Sequence, residues 1–198
     1  MSWIEATKSL DGLLDQPLEA LLNKVPQSSL PFKAKSDYVT SPISKNGLEG
    51  IWERLYQQEV GRAFLLMTPY GGKMAEIPES ETPFPHRAGN IYKIQYLISW
   101  EKEGYVTEAQ MRISWIRELY SYMAPFVSKN PRSAYVNYRD LDIGTNGNSG
   151  STTSYAQASI WGNKYFKDNF KRLVHVKTMV DPTNFFKHEQ SIPSLSAC

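Results

Sequence analysis

The segment from Ile91 to Trp100 constrains the fold more than any other part of the sequence, because large apolar residues occupy every second position. Successive side chains of a β-strand point to opposite faces, so this spacing gives one face that is wholly apolar. That face carries Tyr92, Ile94, Tyr96, Ile98 and Trp100. Lys93 and Gln95 lie on the opposite face. The pattern predicts a strand whose apolar face is covered by helices, while its Lys93 face meets solvent, a ligand or another domain.

Helical spacing appears on both sides of this strand. Apolar residues recur at intervals of three and four between Leu48 and Tyr56, which predicts a helix with one buried face. Asn46 and Glu49 are expected to cap its amino end. Further helices are predicted over Glu108–Met123, Tyr155–Phe166 and Asn169–Val180, and a short one between Leu13 and Leu22.

Additional strands are predicted over Phe32–Val39, Arg62–Met67 and Tyr135–Arg139, from alternating or continuous apolar character. The proline-rich segment from Pro69 to Asn90 is expected to be a loop. A chain of 198 residues is long enough for one domain with a substantial core. The order of elements predicts an α+β fold in which helices cover one face of an antiparallel sheet.

Charge and composition exclude several classes of function. The 22 basic and 20 acidic residues are mixed along the chain, which argues against a nucleic-acid or membrane-surface platform. A sheet that binds single-stranded nucleic acid is excluded because the aromatic residues of the Ile91–Trp100 strand lie opposite its only lysine. No apolar run is long enough to span a bilayer. The single cysteine, Cys198, forms no internal disulfide, and the three histidines lack metal-ligand spacing, so no metal site is expected.

The carboxyl-terminal third carries a series of short motifs in a fixed order. They are Asn137-Tyr138-Arg139-Asp140-Leu141-Asp142, Trp161-Gly162-Asn163-Lys164-Tyr165-Phe166, Asn184-Phe185-Phe186 and Glu189-Gln190-Ser191-Ile192-Pro193. Their order and spacing resemble the end of the plant berberine-bridge-enzyme-like flavoproteins, a family of FAD-dependent oxidases. No single motif is diagnostic, but the arrangement over about sixty residues leaves little room for coincidence.

The resemblance implies that the chain is the carboxyl-terminal piece of a larger protein. Residues 1–132 then correspond to the end of an α+β substrate-binding domain, and residues 133–198 to the berberine-like segment. The FAD-binding domain of the family precedes this region, and no phosphate-cradling glycine motif occurs here to replace it. The resemblance also implies an extracellular or cell-wall location.

Lys93 and Gln95 are the first candidate site residues. Periodicity alone leaves open whether their face is simply hydrated or forms a site. In the resembling family this strand lines the substrate pocket in front of the flavin, and some members place a catalytic glutamate on it. Lys93 and Gln95 exclude such a glutamate at their positions. The pattern resembles members in which a lysine lowers the pKa of a tyrosine base while a glutamine binds substrate.

Tyr138 is the second candidate, because it matches a family tyrosine that points at the flavin and acts as base or substrate anchor. An ordinary tyrosine is a poor base at neutral pH, but a neighbouring ammonium group lowers its pKa. By the same resemblance, Tyr135 and Asn137 contact the isoalloxazine ring. A regular strand would separate both from Tyr138, so a bend or bulge is required for all three to reach one ligand.

These observations favour an FAD-dependent oxidoreductase of alcohol-type substrates, such as monolignols or sugars. In the family, hydride passes to flavin N5 while a tyrosine removes the hydroxyl proton. The absence of an acid beside Lys93 favours oxidation of an allylic or sugar alcohol over ring closure. A carbohydrate oxidase is the alternative within this class. The alternative outside it is a non-catalytic truncated fragment without bound cofactor.

Overall fold

The computed structural model describes residues 2–10, 12–23, 30–56, 62–101, 106–147 and 154–195. The chain divides into two compact units, Met1–Leu30 and Pro31–Cys198. The smaller unit contains helix α1, Trp3–Leu10, and a 3-10 helix over Leu18–Leu22. The short helix predicted between Leu13 and Leu22 is therefore confined to the second half of that range. Cys198 lies outside the described residues.

Three antiparallel strands form the sheet that the described part of the larger unit contains. They are β1 (Phe32–Val39), β2 (Arg62–Pro69) and β3 (Tyr92–Ser99), in the spatial order β1-β3-β2. In the central strand, Lys93 is opposite Tyr38 of β1 and Thr68 of β2. The alternation that singled out residues 91–100 therefore belongs to the strand with neighbours on both sides.

The main hydrophobic core lies between this sheet and two helices, α2 (Lys45–Leu55) and α4 (Val106–Tyr122). Ile94, Tyr96 and Ile98 are fully buried on the helix side, as the alternation predicted. They share the core with Val39, Ile51, Ile116, Leu119, Met123 and Val127. The predicted α+β fold is confirmed, because the helices cover one face of an antiparallel sheet.

Helix α2 begins one residue earlier than its expected cap. Ser44 is the N-cap, and its Oγ accepts a hydrogen bond from the Gly47 amide at 3.2 Å. The assignment of this role to Asn46 was wrong because Asn46 lies inside the first turn. The proline-rich loop follows β2, which ends at Pro69, and contains one short helix, α3 (Lys73–Glu76), before Pro78.

A second, smaller core forms between helices α5 (Tyr155–Phe166) and α6 (Asn169–Val180), whose bounds agree with the predicted ones. Trp161, Tyr165, Phe170 and Val174 pack there with Ala134 and Ile143. The expected domain boundary after residue 132 stays a prediction. In the described ranges, no helix is both long and apolar enough to cross a membrane.

Buried ion pairs connect the sheet to the segment that carries the Asn-Tyr-Arg-Asp motif. Asp140 accepts hydrogen bonds from Lys33 at 2.8 Å and Lys35 at 2.5 Å, and Lys35 also reaches Asp142 at 2.9 Å. Lys35 and Asp140 are both almost fully buried. Because a buried charge is costly without a partner, this network holds the motif firmly against β1.

Residues 135–139 do not form the predicted strand. The chain turns there instead, and the Tyr138 amide donates to the Tyr135 carbonyl at 3.0 Å. The Tyr135 amide is directed at β1, where it donates to Ser36 Oγ at 2.8 Å. This turn supplies the bend that the three candidate residues of the motif required.

Candidate active site

The candidate site lies on the face of the sheet opposite the helices. Lys93 and Gln95 both project to this face from the centre of β3. Cross-strand neighbours share a face, so Tyr38 and Thr68 flank Lys93, while Ser36 and Leu66 flank Gln95. The two candidate side chains are separated by about 7 Å along the strand.

Lys93 is covered by residues of its own chain, although its face of the sheet was expected to meet solvent, a ligand or another domain. Its side chain is only 6% exposed. The ammonium Nζ lies 4.0 Å from the ring centre of Tyr135 and 4.6 Å from that of Tyr138. Its distance to Tyr138 Oη is 3.5 Å, which is long for a hydrogen bond. Among the described residues, no carboxylate forms an ion pair with Lys93, so aromatic faces stabilise its charge.

The turn at residues 135–138 brings the rings of Tyr135 and Tyr138 to the side of the sheet that carries Lys93. Their rings meet edge to face, with centres 5.0 Å apart. Asn137 is exposed, and its Nδ2 donates to Tyr135 Oη at 2.9 Å. The structure thus brings Lys93, Tyr135, Asn137 and Tyr138 into one cluster. Gln95 lies beside the cluster on the same face and is partly buried.

An aromatic layer that sequence reasoning missed supports this cluster. Tyr38 is fully buried and stacks on His86, with ring centres 4.0 Å apart. Phe84 packs edge to face against both His86 and Tyr135. The proline-rich loop carries Phe84 and His86, and its length was the only sequence signal for this role. Tyr38 could be placed only after the register of β1 on β3 was known.

His86 has a structural role in this layer. Its Nε2 donates to the Tyr165 carbonyl at 2.9 Å, which assigns the proton to that nitrogen. Burial lowers the pKa of His86 to about 4, so the ring is neutral at physiological pH. His86 thereby joins the sheet to helix α5 without adding charge beside Lys93.

Burial shifts the two ionisable groups of the cluster in opposite directions. It raises the pKa of Tyr138, with a smaller contribution from neighbouring Tyr135. It lowers the pKa of Lys93. Both shifts disfavour the charged forms, so burial favours the neutral phenol and the neutral amine. The pKa of Tyr138 thus moves in the direction opposite to the one expected beside a lysine, because burial raises it.

The cluster fits the ring end of a flavin and not its diphosphate end. Half-buried rings, an amide and an ammonium group suit contact with a flat heteroaromatic ring and a neutral polar substrate. Dinucleotide diphosphates are often bound by backbone amides at the start of a helix, and the sequence carries no glycine motif of that kind.

Residues 134–193 match the family described as "Berberine and berberine like". Monolignol oxidoreductase AtBBE-like 13 of Arabidopsis thaliana is 52% identical over 98% of this chain and 34% of its own length. Tetrahydroberberine oxidase of Berberis wilsoniae is 50% identical over 100% of this chain and 37% of its own length.

A solved structure confirms the fold. Phl p 4, described as a grass pollen allergen with glucose dehydrogenase activity, superposes with a TM-score of 0.86 at 41% identity. The match covers 100% of this chain and 40% of Phl p 4. The chain belongs to the berberine bridge enzyme-like family of plant oxidoreductases. It spans about a third of the length of the curated relatives it matches, consistent with the carboxyl-terminal part of such a protein.

Proposed function

We propose that the chain supplies the substrate-facing part of the active site of an FAD-dependent oxidoreductase that acts on an alcohol-type substrate. The observation that carries this proposal is the ammonium group of Lys93, which lies against Tyr138 Oη in a site where no described carboxylate pairs with it. A phenolate next to an ammonium group can accept the proton of a substrate hydroxyl and become a neutral phenol. The relatives named for monolignol and glucose chemistry act on compounds that carry such hydroxyls.

Each residue of the cluster has a distinct role in this proposal. Bound flavin would supply the hydride acceptor. Tyr138 Oη receives the hydroxyl proton of the substrate, and Lys93 stabilises the phenolate that is needed for this. Lowering a tyrosine pKa by two to three units requires about 3–4 kcal/mol of preference for the phenolate. Gln95 orients the substrate hydroxyl, and Tyr135 with Asn137 forms the surface that meets the flavin ring.

The decisive experiment measures flavin reduction in the intact enzyme after Tyr138→Phe. This substitution preserves the ring that packs against Tyr135 and removes only the ionisable oxygen. Reduction should slow by about 10²- to 10⁴-fold, which is the usual contribution of a positioned base. Tyr56→Phe is the matched control, because Tyr56 is exposed and outside the cluster. A wild-type rate of reduction in Tyr138→Phe would assign the base to another residue.

The substrate class divides into monolignols and sugars. One relative is named a monolignol oxidoreductase, and one structural neighbour is described as having glucose dehydrogenase activity. We favour the monolignol class because the site-facing rings of Tyr135, Tyr138 and Phe84 provide flat surfaces for a conjugated substrate. Comparison of kcat/KM for a monolignol and for glucose in the intact enzyme distinguishes the two.

A further inference from the structure

Arg87, in the proline-rich loop, is a buried cation to which the proposed chemistry assigns no role. Its side chain is only 9% exposed. Among the described residues, no carboxylate forms an ion pair with Arg87, and Glu76 and Glu79 of the same loop are paired with lysines. A charge that leaves water costs free energy unless specific bonds compensate for it. The bonds that Arg87 makes therefore indicate its function.

The guanidinium group of Arg87 binds three points of the loop through its planar fork of N–H donors. Nε donates to the Phe84 carbonyl at 3.1 Å, and Nη2 donates to Thr82 Oγ1 at 2.8 Å. Nη1 reaches Met74 Sδ at 2.9 Å. The guanidinium carbon also lies 5.0 Å from the ring centre of Phe84. Arg87 thus fixes both the backbone and the ring of Phe84.

Helix α6 holds the same loop through a second buried side chain. Asn169 is 6% exposed, and its Nδ2 donates to the Glu79 carbonyl at 2.7 Å and to the Thr82 carbonyl at 3.2 Å. Thr82 is therefore bound twice, at its hydroxyl group by Arg87 and at its carbonyl by Asn169. Phe170, which follows Asn169, is fully buried in the smaller core. The bonds of Arg87 thus join Phe84 to a packed part of the chain.

Phe84 connects the loop to the candidate site. Its ring meets that of Tyr135 edge to face, with centres 5.9 Å apart. Tyr135 in turn covers Lys93, whose Nζ lies 4.0 Å from the ring centre of Tyr135. Packed side chains leave little free space, so a ring supported on one side keeps its place on the other. A displaced Phe84 would leave Tyr135 without this support.

We propose that Arg87 is a positioning residue of the candidate site, which holds Phe84 against Tyr135 and thereby keeps Lys93 beside Tyr138. Its effect on the reaction rests on the proposed function. Its effect on the geometry does not, because this requires only that loss of the Arg87 bonds uncovers Lys93.

Chemical labelling of Lys93 in the intact protein tests the geometry. Arg87→Lys keeps the charge but lacks the fork of donors, so Phe84 loses its anchor. Acetylation at Lys93, followed by peptide mass spectrometry, should become about tenfold faster, because loss of these bonds lowers the free energy of local opening. Lys35 is 2% exposed in a separate ion-pair network and is the internal reference, which should stay as unreactive as in the wild type.

Arg172→Lys is the matched control, because Arg172 is exposed and donates to the Ser80 carbonyl of the same loop at 2.8 Å. It should keep the labelling of Lys93 within about twofold of the wild-type rate. Thr82→Val removes the acceptor of Nη2 and should accelerate labelling in the same direction, so it replaces Arg87→Lys if that variant does not fold. Labelling at the wild-type rate in the variant used would overturn the proposal.

Stopped-flow reduction of the bound flavin tests the effect on the reaction. Arg87→Lys should slow reduction by about 10- to 100-fold and change KM much less, since misplacement costs more in the transition state than in the ground state. An equal loss in Arg172→Lys would contradict the proposal. If Tyr138→Phe reduces flavin at the wild-type rate while Arg87→Lys still uncovers Lys93, the proposed chemistry fails and the positioning stands. Slow reduction in Tyr138→Phe with normal reduction and labelling in Arg87→Lys would overturn the positioning alone.

Discussion

Lys93 is an unusual residue in this protein, because it is nearly buried and its charge faces two aromatic rings. The ring of Tyr135 stabilises the ammonium group through its π-electrons, and Tyr138 offers a phenol oxygen at 3.5 Å. Burial disfavours the ammonium form, so its charge depends on these neighbours. A phenolate at Tyr138 would stabilise it further.

Lys93→Met tests this coupling in the intact enzyme. The substitution keeps most of the apolar stem and removes the charge, so the phenolate of Tyr138 loses its neighbouring cation. The rising limb of the rate of flavin reduction should move to higher pH by about 1–3 units. Stopped-flow reduction across a range of pH measures this shift. Lys45→Met, at an exposed position in α2, should leave the limb in place, and an unmoved limb in Lys93→Met would remove Lys93 from the mechanism.

His86 provides a second prediction, which concerns stability. Its pKa is about 4 in the folded chain and 6.5 for an ordinary histidine, so the unfolded state binds its proton first as pH falls. Its contribution to the free energy of unfolding is therefore complete above pH 6.5 and is lost between pH 6.5 and 4. The loss amounts to about 3 kcal/mol at most.

Urea unfolding between pH 4 and 8, followed by tryptophan fluorescence, measures this dependence. His86→Gln keeps a donor for the Tyr165 carbonyl but does not titrate in this range. The wild-type chain should therefore lose more stability than the variant as pH decreases. Parallel pH profiles for the two proteins would show that His86 is not responsible.

At the scale of elements, the contact between α5 and α6 depends on a single glycine. A Cβ added to Gly162 would lie 2.3 Å from the ring of Phe170, which is fully buried. An atom cannot approach a ring so closely, and a buried ring has no space to retreat. The missing side chain at residue 162 is therefore what allows the two helices to pack.

Gly162→Ala should destabilise the chain by about 1–3 kcal/mol, despite the better helix propensity of alanine. The propensity gain is about 1 kcal/mol, and the overlap with Phe170 outweighs it. Gln157→Ala on the exposed face of the same helix is the control and should be neutral or slightly stabilising. Thermal unfolding of both variants measures the difference. A stabilised Gly162→Ala would mean that the helices separate at little cost.

At the scale of the whole molecule, we expect the cluster to meet the ring of a flavin, and the sequence carries no phosphate-cradling glycine motif. The 198-residue chain on its own should therefore be colourless after desalting, while the intact protein should retain FAD. Visible flavin absorbance in the desalted chain would show that its residues hold the whole cofactor. An intact protein that binds no flavin would instead favour the non-catalytic alternative.

Local patterns in the sequence were sufficient for much of the fold. The strand at residues 91–100 and the helices α5 and α6 follow from side-chain periodicity, which depends only on the geometry of each element. The family could also be inferred, because its motifs are contiguous runs of residues. Lys93 and Tyr138 were candidates for that reason, before their separation in space was known.

Tertiary contacts decided the form of the site. Residues 135–139 alternate like a strand, but bonds to Ser36 and the ion pairs of Asp140 with β1 hold the chain in a turn. Lys93 would be solvated on an isolated strand, and residues more than forty positions away cover it. The sequence alone determined which residues each element presents to a face. Only the folded chain decided what covers that face, because burial depends on contacts between segments that are distant in sequence.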